Sequence, residues 1–243
     1  MKLFNKRIII TGGTSGIGYD LVRQLHPDND LIVIGRNAER LDKLRRHFKG
    51  AVTYQADLSN LEEVEAVAGH IAQRFQSVDG IIHNAAVQYT PAFMDKAFKY
   101  DSIRREIDLN FTSVCCLTYL LLPLLRHESP AFILNVGSGL GLVPKTGSAI
   151  YCATKGALNI FTQSLRHQLE ETNISVLQAI MPLVDTPMTM GRGTGKMTAQ
   201  AAAGQIIKGI EKEIPDHDIG KIKALRLIMR FSPRLAAQIM KGG

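Results

Sequence analysis

Arg7-Ile8-Ile9-Ile10-Thr11-Gly12-Gly13-Thr14-Ser15-Gly16-Ile17-Gly18 joins a short apolar run to a glycine-rich turn. The run is too continuous for a half-exposed strand and reads as one buried on both faces. Gly12 permits a tight turn directly after it. Gly16 and Gly18 let a pyrophosphate approach the start of the next helix, where free N–H groups favour negative charge. Gly13 to Gly18 also has the glycine spacing of a phosphate-binding P-loop, but the next residue is Tyr19 rather than Lys, which argues against nucleotide hydrolysis.

Working outward, strand and helix signals alternate. Strands are expected at 7–10, 31–34, 51–55, 80–83, 132–136 and 174–180. Helices are expected at 16–25, at 38–48, from a cap at Asn60 to about 75, at 101–126 and at 148–171. Apolar strands alternating with helices predict an α/β fold: a doubly wound parallel sheet with helices on both faces. No repeat, low-complexity segment or linker divides the chain, so one domain over 1–243 is expected. The glycine- and methionine-rich stretch 183–200 follows the last strand and reads as a small lid over the carboxyl ends of the strands.

At 45% hydrophobic and 21% charged residues, the composition is that of an ordinary globular protein. Cys115, Cys116 and Cys152 form no CxxC pair, which predicts a reduced, cytoplasmic protein, and no metal site is expected. Cys152 reads as a packed helix residue rather than a reactive thiol. The amino terminus lacks the pattern of a signal peptide. The apolar stretch 114–125, broken by Thr118 and Pro123, falls short of the roughly 20 residues of a membrane span and reads as a buried helix. Of the net charge of +7, residues 221–243 carry +6 and no acid, leaving a nearly neutral body that gives no reason to invoke nucleic acid. This basic tail divides into two amphipathic pieces at Pro233. The favoured reading packs both on the body beside the lid, where they shape the pocket; the alternative lays them in a lipid interface.

Tyr151 and Lys155 are four residues apart, which on a helix places both on one face. An ammonium beside a phenol favours the phenolate. Ser138, thirteen residues before Tyr151 at the end of an apolar run, adds a hydroxyl able to hold a carbonyl oxygen. A dinucleotide-binding turn with such a proton donor describes hydride transfer between a nicotinamide and a carbonyl or alcohol. Taken singly, Ser138 and Asn110 are ordinary structural polar residues; the ordered set carries the reading.

These motifs resemble the short-chain dehydrogenase/reductase family, from Lys6 to about Glu213. They are Thr11-Gly12-x-x-x-Gly16-x-Gly18, Asp57-Leu58, His83-Asn84-Ala85-Ala86, Asp108-Leu109-Asn110, Ser138, Tyr151-x-x-x-Lys155 and Met181-Pro182-Leu183-Val184-Asp185-Thr186. The last motif and the compact end are similar to a bacterial branch often named after teichoic-acid D-alanylation operons. The resemblance implies a Rossmann-type, NAD(P)-binding domain. The catalytic set would be Asn110, Ser138, Tyr151 and Lys155, with Asn110 holding a water that links Lys155 to solvent. The cofactor would meet Gly12, Thr14, Ser15, Gly16, Ile17, Gly18, Arg36, Asp57, Leu58, Asn84, Ala85, Ala86, Tyr151, Lys155, Pro182, Val184 and Thr186. Asp57-Leu58 would contact adenine, and Thr186 the nicotinamide carboxamide. The family's Pro-Gly is here Pro182-Leu183, so Leu183 would narrow the site or fix the lid differently.

Cofactor choice rests on Gly35-Arg36-Asn37, the segment that follows the second strand. No acid stands there to bind a ribose 2′-hydroxyl, and Arg36 can meet a 2′-phosphate, so NADP(H) is expected over NAD(H). The bland alternative leaves Arg36 as a solvated loop residue. The expected activity is NADP-dependent carbonyl reduction, reversible as alcohol oxidation (EC 1.1.1.-). The expected partners are a small carbonyl or alcohol substrate and further copies of the chain, as a homodimer or homotetramer. The competing class is a non-catalytic NADP(H)-sensing or interaction protein on the same fold. The substrate itself is not written in the sequence.

Overall fold

The computed structural model describes Met1–Gly242. Seven parallel strands form the central sheet: β1 (Arg7–Thr11), β2 (Asp30–Gly35), β3 (Val52–Gln55), β4 (Gly80–His83), β5 (Ala131–Ser138), β6 (Ile174–Met181) and, numbered in chain order, β9 (Asp216–Asp218). Their spatial order is β3-β2-β1-β4-β5-β6-β9. The order reverses at β1 and β4, the switch point where a crevice opens beyond the carboxyl ends of the strands. Two further short strands, β7 (Val184–Asp185) and β8 (Met197–Thr198), pair with each other across the base of the expected lid.

The strand residues sort by period 2. Ile8, Ile10, Leu31, Val33, Phe132 and Leu134 face one helical layer, and Ile9, Ile32, Ile34, Ile81 and Ile133 face the other. The first layer contains α1 (Gly16–Leu25), α2 (Ala38–His47) and α7 (Ala199–Glu211). The second contains α3 (Leu61–Arg74), α5 (Ser113–Leu125) and α6 (Ala149–Gln168). Each fully buried Ile or Val contributes about 1.5–3 kcal/mol relative to exposure, which is why both faces must be covered.

The expected helix at 101–126 is α4 (Tyr100–Ile107) running through one π-helical turn, Asp108–Thr112, into α5. Such a turn re-aims side chains within a continuous helix, and Asn110 sits in it. The whole span, Tyr100–Leu125, is long and apolar enough by length and composition to cross a membrane, unlike the shorter apolar stretch read from sequence. In the fold its α5 part packs against α3 and β5, and Leu117, Leu121 and Leu125 are fully buried.

Besides β7 and β8, two elements go beyond the sequence expectation. α7 starts at a Thr198 cap, whose hydroxyl accepts the Ala201 N–H at 3.1 Å, and packs on α1. β9 is Asp-His-Asp, a strand with no apolar run. The basic tail forms α8 (Ile222–Phe231) and α9 (Pro233–Lys241), broken at Pro233 as expected. Ile222, Leu225 and Ala236 are buried against Val143 and Ile180, so both pieces pack on the body.

Candidate active site

The turn after β1 is fixed by contacts with β2 and β4. The Gly12 N–H donates to the Ile34 carbonyl at 2.8 Å. Gly12 has φ +69°, and a β-carbon there would come within 2.9 Å of the Ala85 backbone. The Thr11 hydroxyl accepts the N–H groups of Asn84 and Ala85, each at 3.0 Å. The Asn84 side-chain amide donates to the carbonyls of Thr11 at 3.0 Å and Gly12 at 3.3 Å. Gly18 plays a different part from the expected one. It is buried, does not line the cavity, and a β-carbon there would collide with the Gly12 carbonyl and the Asn84 amide. Its smallness lets α1 sit on the turn.

A cavity of about 730 Å³ lies over the carboxyl ends of the strands. Thr14, Ser15, Gly16 and Ile17 line it at the start of α1, where Ser15 makes no side-chain capping bond. The free first-turn N–H groups and the helix dipole make that end attractive to an anion. The wall continues through Arg36, Asp57, Leu58, Asn84, Ala85 and Ala86 to Ser138, Tyr151 and Lys155, and then to Pro182, Val184 and Thr186. Of the expected site residues, all but Gly18 and Asn110 line it.

The Asp57 carboxylate is already engaged. Ser59 donates its hydroxyl at 2.7 Å and Arg105 pairs with it at 2.8 Å. Burial alone would raise this carboxyl, but the Ser59 hydrogen bonds and the Arg105 charge outweigh it and hold the group below its ordinary value. Its side chain organises the turn before α3.

Tyr151 lies in the first turn of α6, and Lys155 one turn later. The Lys155 ammonium donates to the Val136 carbonyl at 2.8 Å and lies 5.8 Å from the centroid of the Tyr151 ring. Burial pulls Lys155 down to about 8. Tyr151 differs from the expectation. Burial pushes its phenol up to about 12, against the opposing pull of a Ser138 hydrogen bond, and Lys155 is not among the causes of the shift. Desolvation of the phenolate therefore outweighs the Ser138 hydrogen bond. The Ser138 hydroxyl accepts the Leu140 N–H at 3.1 Å at the end of β5. Behind them, burial and then the Lys155 charge hold His83 down to about 3, so it is neutral and hydrogen-bonds Thr118 at 3.0 Å.

Asn110 is 1% exposed and does not itself line the cavity. Its side chain bonds both the N–H and the carbonyl of Val87 at 2.9 Å and Thr154 at 3.2 Å. The side chain thus clamps the segment after β4. Cys152 is buried, as a packed helix residue would be.

Other lining residues were not anticipated. Arg40 lies four residues after Arg36, a spacing visible in the sequence, and its N–H is held by the Asn37 side chain at 2.8 Å. Lys145 and Gln88 also face the cavity. Arg192, from the segment between β7 and β8, donates to Gln88 at 2.8 Å, and Gln88 in turn donates to Ser148 at 3.2 Å. Ala224, Ile228, Ile239 and Met240 bring the tail into the wall, as the pocket-shaping reading expects.

The family described as short chain dehydrogenase matches residues 6–196. An uncharacterized oxidoreductase, DltE, of Bacillus subtilis is 33% identical over 187 residues, covering 76% of this chain and 74% of that protein. The resemblance drawn from the motifs is borne out, its bacterial branch included. A short chain dehydrogenase from Burkholderia cenocepacia, solved in complex with NADP, superposes with TM-score 0.88 at 19% identity, covering 99% of both chains. A short-chain dehydrogenase from Sphingobium yanoikuyae, in complex with NADPH, gives 0.82 at 24%, covering 96% of this chain and 95% of that one. Both share the fold, and the expected Rossmann-type sheet is the observed one.

Proposed function

The chain belongs to the short-chain dehydrogenase family, and from that premise we propose that it transfers hydride between NADP(H) and a carbonyl or secondary-alcohol substrate (EC 1.1.1.-). The observation that carries the reading is the convergence of Ser138, Tyr151 and Lys155 on the cavity that begins at the glycine turn.

The cavity fits a dinucleotide in size and in its uncapped helix start. Two cations, Arg36 and Arg40, line its end after β2, while Glu39 between them does not line it. That arrangement suits a 2′-phosphate and favours NADP(H), NAD(H) being the weaker alternative. The bound NADP and NADPH of the two superposed structures support the same choice.

When bound, the reduced nicotinamide would supply the hydride. Ser138 holds the substrate oxygen, and Lys155 holds the nicotinamide ribose. Tyr151 would give its proton to the substrate oxygen as that oxygen gains the π pair of the reduced carbonyl. A phenol near 12 is fully protonated at neutral pH, so it stands ready as an acid for a developing alkoxide. Acting as a base in alcohol oxidation would require a lower value, which the cation of the oxidised nicotinamide favours. Residues 183–200 serve as the lid, latched through Arg192 and Gln88, and Leu183 packs on Gly193 within it.

Exposed Tyr119 on α5 and Ile160 on α6 support pairing through these helices into a homodimer or homotetramer. Three free cysteines support a reducing, cytoplasmic setting. A screen of NADPH oxidation against ketones graded by size and polarity tests the activity. No turnover with any of them, together with tight NADPH binding, would favour the sensing protein instead.

A further inference from the structure

We propose that α8 and α9 dock this protein on an anionic lipid surface, with the mouth of the cavity turned toward that surface. The tail packs on the body with only part of its apolar content. Ile222, Leu225 and Ala236 are buried, while Leu227, Phe231, Leu235 and Ile239 stay 60%, 76%, 46% and 52% exposed. On α8 the buried residues and the Leu227–Phe231 face lie on opposite sides of the helix, as the 3.6-residue period requires. Water is a poor partner for four large apolar side chains on two short adjoining helices.

Charge selects the occupant. Lys221, Lys223, Arg230, Arg234 and Lys241 make no ion pair among the described residues; of the tail cations, Arg226 alone does, with Asp218. Nothing acidic follows residue 220. A two-fold contact with a second copy would set this patch against itself, cation against cation. A surface of anionic phospholipid headgroups over acyl chains answers both features: it neutralises the Lys and Arg and takes in the Leu, Phe and Ile side chains.

Other residues of the same two helices, together with Ile239, reach the cavity. Ala224, Ile228, Ile239 and Met240 line it from α8 and α9. An apolar substrate dissolved in the lipid would therefore meet the cavity without crossing water. The docking itself does not depend on the proposed hydride transfer.

The test is co-sedimentation of the full chain with phosphatidylglycerol vesicles and with phosphatidylcholine vesicles. The variants are Leu227→Ser/Phe231→Ser and, independently, Lys223→Gln/Arg230→Gln; none of these side chains lines the cavity. Thermal melting and NADPH binding verify that each variant is folded. The proposal expects binding to phosphatidylglycerol and little to phosphatidylcholine, weakened by salt and reduced at least about tenfold in each variant. Failure of the intact chain to sediment with phosphatidylglycerol at low salt would overturn it. So would unchanged binding by both variants, or light scattering in which the apolar variant dissociates an oligomer that the vesicles do not bind.

Discussion

The Asn110 side chain grips Val87 at both ends, accepting its N–H and donating to its carbonyl, each at 2.9 Å. Val87 lines the cavity, and Asn110 is carried by the π-helical turn between α4 and α5. One buried amide thus fixes the position of the backbone that follows β4. Asn110→Ala should leave both groups of Val87 without these partners. The expected loss is about 2 kcal/mol, read as a fall in Tm of roughly 5 °C. An unchanged Tm would show that the clamp carries no stability.

Cofactor preference is expected to follow the two arginines after β2. The intact chain should bind NADPH more tightly than NADH. Arg36→Ala should lower NADPH affinity by roughly tenfold or more, the loss of one charge-assisted contact being about 1.5–3 kcal/mol. Adding Arg40→Ala should reduce the preference further. Equal binding of the two cofactors by the intact chain would contradict the assignment.

The pH profile should carry the signature of Lys155. Its cation is complete well below about 8 and is lost above that value. Tyr151, near 12, remains protonated throughout. The kcat/KM for carbonyl reduction should therefore be level in mildly acidic solution and fall as pH rises through about 8. Lys155→Arg keeps a cation and should move the fall to higher pH if it retains activity. A descending limb that stays in place in an active Lys155→Arg protein would assign it to another group.

Light scattering should give a multiple of the 26.7 kDa chain. Tyr119→Glu combined with Ile160→Glu, both exposed on α5 and α6, should release the single chain. A 26.7 kDa particle from the intact protein at working concentration would exclude the expected pairing.

Much of this fold is legible because buried parallel strands announce themselves. Ile8, Ile9 and Ile10 are all fully buried, and they alternate between the two helical layers. β9 is Asp-His-Asp and offers no such signal; its place is set by pairing with β6. α7 had a readable cap in Thr198 and helical spacing at Ala202, Ala203, Ile206 and Ile210, but its small residues give a weak apolar stripe. The residues converging on the cavity were readable from motif order. Their electrostatics were not, because the Tyr151 shift comes from burial, which spacing along the chain does not reveal. Arg192 and Gln88 are 104 residues apart and meet only in the fold.

The central claim is that Tyr151 donates the proton in hydride transfer. The most direct measurement is NADPH-dependent turnover of a ketone by the intact protein and by Tyr151→Phe, with NADPH affinity measured on both. The substitution keeps the ring and removes the acid. The account predicts a loss of turnover of at least about a hundredfold with NADPH affinity nearly unchanged. Turnover by Tyr151→Phe equal to that of the intact protein would contradict it.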